Sequence, residues 1–237
     1  MKCDVTSTPI VVLAGGFGTR LKSELGNVPK ALADINGKPF LEILLNNLID
    51  NGFRNFVFSL YHESDKIIDF LNGFKKNLDL NCKFLYVVEP KALGTGGAVA
   101  FVISELNIKN HLFIINSDTW IGKGHQSIHT DNFNTIGLIE MNDCSRYGKV
   151  ILDKNNFIIE FREKENISTK GLINAGIYKL NSSLFYDWNG EPFSLENVLL
   201  PKLVKNKKLK GRNLYTTFTD IGVPEDYKKF KNEIGRI

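Results

Sequence analysis

The chain has 237 residues, 43% of them hydrophobic, with 30 Lys and Arg against 26 Asp and Glu and a formal charge of +4. A core can be buried without staples, and the mild basic excess is scattered rather than blocked. Cys3, Cys82 and Cys144 form no C-x-x-C pair, the start "MKCDVTSTPI" lacks a signal peptide's apolar run, and no stretch approaches the roughly 18 apolar residues of a membrane span, which excludes a disulfide framework, a zinc knuckle and a membrane partner and predicts a cytoplasmic protein.

In chain order, short apolar runs alternate with longer amphipathic segments, the pattern of an α/β chain with a mainly parallel sheet. Strand-like runs are "IVVLA" from Ile10, "FVFSL" from Phe56, "KFLYVV" from Lys83 and "HLFIINSD" from His111 to Asp118. Between them, "PFLEILLNNLIDNG" places Phe40, Leu44, Leu45 and Leu48 at helical spacing, with Pro39 in the first turn and Gly52 as the stop. "ESDKIIDFLNGFKKN" and "GGAVAFVISEL" fill the other crossovers. The second half differs: "KVILDKNNFIIEF", Lys149 to Phe161, reads as a hairpin about "DKNN" laid beside the parallel part. "SLENVLLPKLV" and "PEDYKKFKNEIG" read as helices, the latter opening with Pro224 and acidic residues. No linker or boundary stands out, which predicts one domain over residues 1–237.

The segment "LAGGFGTRL", Leu13 to Leu21, puts glycines directly after a buried strand, where backbone amides can reach phosphate oxygens with no Cβ in the way. A dinucleotide G-x-G-x-x-G starting at Gly16 and Gly18 meets Leu21 where its third glycine belongs, and the G-K-[ST] of a Walker A loop is absent. What remains is Arg20 and, in "NVPKAL", Lys30: two cations suited to a triphosphate and its departing pyrophosphate.

Together with "PKAL", "EPKALGTGGA" from Glu89, "NSD" ending at Asp118, "SRYGKV" from Ser145, "FREK" ending at Lys164, "NAGIY" from Asn174 and "DIGVPEDY" from Asp220, this loop resembles the signature of the sugar-1-phosphate nucleotidyltransferases. Within that family, "LGTGGA", "SRYG", "LINAGIY" and "FSLENVLLP" most resemble the D-glycero-D-manno-heptose 1-phosphate guanylyltransferases; mannose 1-phosphate guanylyltransferases and N-acetylmuramate 1-phosphate uridylyltransferases share much of the vocabulary. The resemblance implies a Rossmann-like fold of the nucleotide-diphospho-sugar transferase type, with the hairpin as an addition. It implies a reaction in which a nucleoside triphosphate and a sugar 1-phosphate give a nucleotide sugar and pyrophosphate, here for a bacterial surface polysaccharide. A non-catalytic nucleotide-sugar sensor is the rival of a different class. A homo-oligomer is compatible with the family.

Taken alone, Asp118 and Asp220 suit turns as well as a metal site. The resemblance implies Mg²⁺ held between them, with two departures: Ser117 stands where Gly is common before the first Asp, and Val223 where Thr is usual before Pro224. It further implies that Arg20 and Lys30 grip the triphosphate, that Leu13, Ala14, Gly15, Gly16, Gly18, Thr19, Gly94, Thr95 and Gly96 line the nucleotide, that Lys164 meets the attacking phosphate, and that Tyr147, Gly148, Glu163, Lys164 and Asn174 line the sugar. Glu89 would face the base, where a carboxylate accepts from guanine's N1–H and amine together and favours GTP; the same residue also suits the simple close of strand "FLYVVE". A sugar phosphate, with a second pKa near 6, is largely a dianion at neutral pH, so no Ser-His-Asp or Cys-His arrangement is expected.

Three further features read as structural. "HQSIH" spaces His125 and His129 as zinc ligands are spaced, but Gln126 stands where a catalytic Glu is needed, and Gly122 and Gly124 predict a loop. "KNKKLKGR", Lys205 to Arg212, lacks interleaved aromatics and reads as a solvated loop, with no nucleic acid partner. Trp120 and Trp188 beside strands read as core.

Overall fold

The computed structural model describes residues 5–78, 81–129, 132–162 and 168–234. The order is β1 (Ile10–Leu13), α1 (Lys22–Leu25), β2 (Asp34–Ile35), β3 (Lys38–Pro39), α2 (Phe40–Asp50), β4 (Asn55–Leu60), α3 (Ser64–Lys76), β5 (Lys83–Val88) and α4 (Gly94–Leu106). β6 (His111–Asn116), β7 (Thr119–Ile121), β8 (Asn134–Met141), β9 (Lys149–Leu152), β10 (Ile158–Arg162) and β11 (Gly171–Asn181) follow, then α5 (Leu200–Lys205), β12 (Leu209–Asn213), β13 (Phe218–Asp220) and α6 (Pro224–Glu233). The α/β sheet is mixed, in the order β10-β9-β11-β6-β1-β4-β5, with β8 joined to β11 and β12 to β8.

β1 lies at the centre of the parallel part, Ile10 standing opposite Phe56 of β4 on one side and Phe113 of β6 on the other. A strand paired on both edges and covered on both faces must be apolar throughout, which is why "IVVL" shows no alternation. Its side chains still divide by the period of two: Ile10 and Val12 pack with Phe40, Leu44 and Leu48 of α2, and Val11 with Val99 and Val102 of α4. α2 takes the predicted face, although Pro39 precedes its first turn rather than opening it. The helices, four parallel-type strands and hairpin predicted from the sequence are present. In the β9–β10 hairpin, Asp153 Oδ1 accepts from Asn155 N at 2.8 Å and Phe157 N at 2.9 Å, which closes the "DKNN" turn.

Three expectations are corrected. "HQSIH" is a 3-10 helix, His125–His129, not a loop. His125 is fully buried, neither ring nitrogen has a hydrogen-bond partner, and no group of three metal-binding side chains occurs among the described residues. "KNKKLKGR" is not a solvated loop: Leu209–Asn213 pairs in parallel with β8, burying Leu209 and Gly211. The Lys210 ammonium lies 4.0 Å from the Phe133 ring centre, so it covers apolar surface while the strand's alternate residues face inward. Asp118 stands beyond the end of β6, in the link to β7, because the chain turns after Asn116. Trp120 is buried as expected, and Trp188 packs at the margin of the α4-side core. No helix among the described residues is long and apolar enough to cross a membrane.

The buried His125 predicts an acid sensitivity. Burial lowers its pKa from 6.5 to about 4, so below pH 6.5 the unfolded chain binds the proton and the native one does not. Stability therefore falls with pH through that window, by about 2 kcal/mol at pH 5 from this residue. Urea unfolding of His125→Leu should lose that much less between pH 7 and pH 5 than the parent; an unchanged loss would place the acid sensitivity elsewhere.

Candidate active site

β1, β4, β5 and β6 run parallel, so their following loops all emerge at one edge of the sheet, the usual place for a ligand in such folds. A cavity of about 400 Å³ opens there. It is lined from β1 by Leu13, Ala14, Gly15, Gly16, Gly18, Thr19 and Arg20, then by Lys30, by Glu89 after β5, by Gly94 and Thr95 at the start of α4, and by Asp118 after β6.

The glycine loop is shaped by close approaches. Gly18 adopts φ +61°, and a Cβ there would lie 3.1 Å from Cβ of Lys30, so the turn draws Lys30 against the loop. Gly15 lies against Tyr61 and the Glu89 carboxylate, its absent Cβ 3.2 Å from Oε1. Arg20 follows in a 3-10 turn, Thr19–Leu21, and is exposed at the mouth.

Lys30 is half-buried and forms an ion pair with Asp118 Oδ2. Asp220 arrives by another route: β13 pairs antiparallel with β7, setting Asp220 opposite Thr119, and Ile221 N donates to the Asp118 carbonyl at 3.0 Å. Two carboxylates distant in sequence therefore meet at one sheet edge. Burial raises the Asp220 pKa, the Asp118 charge raises it further, and the Gly222 amide, Lys30 and Arg20 oppose them. Gly222 itself lines the cavity; a side chain there would collide with the Lys30 ammonium and come 2.7 Å from Asp220 Oδ1. Two carboxylates, one of them raised in pKa by the charge of the other, beside a cavity that opens at the sheet edge, are a donor set that fits a hard divalent cation completing its shell with phosphate and water.

Glu89 is buried yet reaches the cavity, its Oε1 accepting from Ser59 Oγ at 3.0 Å and its Oε2 from Leu93 N at 3.1 Å. Burial raises its pKa against these two bonds. Both uses foreseen for it are thus compatible with its position: it fastens the start of α4 to β4 and it presents a carboxylate to the cavity.

Two glycines assigned to ligands make close packing contacts. A Cβ on Gly96 would strike the Phe193 ring, and Gly96 N and Gly97 N both donate to the Phe193 carbonyl, at 3.0 Å and 3.3 Å. A Cβ on Gly148 would lie 2.7 Å from the Arg162 carbonyl, so this glycine lets β10 approach. Tyr147 is half-buried, its ring centre 5.9 Å from that of Phe218. Burial raises its pKa, the Arg146 charge opposes this, and the charges of Asp220, Asp226 and Arg20 have smaller effects. Asn174 sits before a register shift in β11, where Gly176 turns to φ +70° with its bare Cα face toward Asn116. Glu163 and Lys164 lie outside the described residues.

Sequence reasoning missed Ser59, Tyr61, Phe17 and Gly222 in the lining, and Glu196 behind it. A serine inside the buried run "FVFSL" was the available signal for the first, since a fully buried hydroxyl needs a partner.

Residues 10–236 match the family model described as "Nucleotidyl transferase". The D-glycero-alpha-D-manno-heptose 1-phosphate guanylyltransferase of Campylobacter jejuni is 36% identical over 93% of this chain and 97% of its own. The Drosophila melanogaster mannose-1-phosphate guanylyltransferase catalytic subunit beta is 30% identical over 93% of this chain and 61% of its own. The crystal structure of HddC from Yersinia pseudotuberculosis complexed with GMP-PN superposes with a TM-score of 0.81 at 34% identity, covering 96% of this chain and 99% of that one. Matched by the family model over residues 10–236 and 36% identical to the Campylobacter jejuni protein over 97% of its length, the chain belongs to the nucleotidyl transferase family.

Proposed function

We propose that the protein transfers GMP from GTP to a sugar 1-phosphate, D-glycero-alpha-D-manno-heptose 1-phosphate, releasing pyrophosphate. The observation that carries this is the cavity that gathers Arg20, Lys30, Asp118 and Glu89 in a chain 36% identical to a heptose 1-phosphate guanylyltransferase. Mannose 1-phosphate is the second reading, favoured by the mannose-specific relatives at 30% identity. Pyrophosphate release with GTP, UTP, dTTP and CTP against a panel of sugar 1-phosphates decides among them. Release only with GTP and the heptose phosphate is expected; preference for a pyrimidine nucleotide would overturn the assignment.

In this reading the sugar phosphate dianion attacks the α-phosphorus of GTP. A new P–O bond forms, the bond from that phosphorus to the bridging oxygen breaks, and pyrophosphate leaves. The protein's task is alignment and charge neutralisation, so its residues bind and orient rather than exchange protons. Arg20 and Lys30 hold the triphosphate, Lys30 leaving its ion pair with Asp118 as phosphate arrives. Gly15, Gly16, Gly18 and Gly94 admit the phosphate chain to backbone. Asp118 and Asp220 would hold Mg²⁺, whose charge would offset that of the phosphates when bound. Tyr147 and Asn174 flank the sugar, and Glu163 and Lys164 are assigned there from the sequence pattern.

Glu89 accepts guanine's N1–H and 2-amino group through the lone pairs that Ser59 and Leu93 leave unused. ITP, which lacks the amino group, should then be used about tenfold less well than GTP, the worth of a hydrogen bond to a charged acceptor. Glu89→Gln should cut that preference to about twofold. If the variant discriminates as the parent does, Glu89 has no part in reading the base.

A further inference from the structure

Glu196 lies in the π-helical turn Leu195–Leu199, outside the cavity lining, and has no role in the reaction described above. Its half-buried carboxylate gathers three hydroxyls. Oε2 accepts from Thr95 Oγ1 at 2.6 Å and from Ser194 Oγ at 3.0 Å, and Oε1 accepts from the Tyr178 hydroxyl at 3.2 Å. Thr95 opens α4 in the cavity wall, and its own Oγ1 accepts from Leu195 N at 2.8 Å. The hydroxyl proton of Thr95 is therefore spent on Glu196, and what the residue can offer a nucleotide is its backbone.

The chain of bonds continues to the other side of the site. Tyr178 is fully buried on β11, and its oxygen accepts from Asn174 Nδ2 at 3.0 Å. Asn174 Oδ1 accepts from Gly176 N at 2.9 Å across the register shift. The asparagine amide is thus oriented unambiguously, nitrogen to Tyr178 and oxygen to Gly176. Burial raises the Tyr178 pKa well above its ordinary value, Glu196 adds to this, and Asp118 acts in the same sense, so the phenol stays a donor to Glu196.

We infer that Glu196 is a positioning residue that couples the two substrate subsites: one carboxylate fixes the start of α4 through Thr95 and, through Tyr178, fixes the Asn174 amide that faces the sugar. A carboxylate suits this because its two oxygens accept several hydroxyl protons at once without offering one in return. The Gln isostere keeps one acceptor oxygen and breaks the network at one end only, whereas Glu196→Leu removes both acceptors and releases Thr95 and Tyr178 together. The inference rests on the assignment of the nucleotide and sugar subsites proposed above.

Steady-state kinetics of the full chain test it, each substrate being varied with the other saturating, GTP and the sugar 1-phosphate used by the parent. In Glu196→Leu, KM for both substrates should rise about fivefold or more. In Tyr178→Phe, which keeps the ring and its packing, KM for the sugar 1-phosphate should rise about fivefold while KM for GTP stays within about twofold, because Thr95 and Ser194 still hold Glu196. A network that serves only folding would lower the active fraction with both KM values unchanged. That outcome, or a Tyr178→Phe effect on GTP instead of the sugar, overturns the inference even if the parent is fully active. If Glu196→Leu does not fold, the selectivity of Tyr178→Phe decides alone. A parent with no turnover would remove the subsite assignment, and this inference with it.

Discussion

Asp220→Asn is expected to lower guanylyl transfer by about three orders of magnitude while leaving the fold at least as stable as the parent. The two effects share one cause. Asp220 is half-buried next to Asp118, and burial together with that neighbouring charge raises its pKa. A carboxyl with a raised native pKa binds its proton more tightly folded than unfolded, so it costs stability as pH rises above the ordinary carboxylate range. Neutralising it relieves that cost at neutral pH and removes one of the two charges proposed to hold the cation. The Gly222 amide that donates to Oδ1 at 2.8 Å keeps an acceptor in the asparagine, so the turn is preserved. Pyrophosphate release and urea unfolding at about pH 7 measure both halves. A variant that is both active and less stable would mean that Asp220 serves the fold rather than the phosphates.

Arg20→Ala and Lys30→Ala form the second large effect, each expected to cost about 10²- to 10³-fold in kcat/KM, the range for removing one preorganised charge from a phosphoryl-transfer site. They should differ in pH dependence. Lys30 is paired with Asp118 and also opposes the rise in the Asp220 pKa, so its loss pushes that pKa higher still. The acid limb of the pH–rate profile should move to higher pH in Lys30→Ala and move less in Arg20→Ala, whose guanidinium is the smaller influence on Asp220. Rates near the parent's in both variants would dissolve the triphosphate assignment; an unmoved acid limb in Lys30→Ala would separate Lys30 from the carboxylate pair.

Much of the site was legible before the fold because the elements that build it are local. A buried strand that breaks into Gly15, Gly16 and Gly18 and ends in Arg20 announces a loop at a sheet edge, and Glu89 announces itself as a carboxylate closing a buried strand. What was not legible depends on distant partners. Glycine tells the reader that a Cβ is forbidden without saying what takes its room: at Gly18 it is Lys30, at Gly96 the Phe193 ring, at Gly148 the Arg162 carbonyl. Short polar strands such as β12 and β13 carry no periodicity of their own and exist because β8 and β7 offer an edge. Thus Asp220 could be named from its motif, but its place opposite Thr119 came only from the pairing. Glu196 looks like any exposed helical glutamate in sequence, since its three hydroxyl donors come from residues 95, 178 and 194.

A crystal structure of this chain with a non-hydrolysable GTP analogue and Mn²⁺, read from the anomalous signal of the metal, tests the site most directly. The expected result is a peak between the Asp118 and Asp220 carboxylates, with the triphosphate against Arg20 and Lys30 and guanine at Glu89. A metal peak away from both aspartates, or a triphosphate bound at another edge of the sheet, would contradict it.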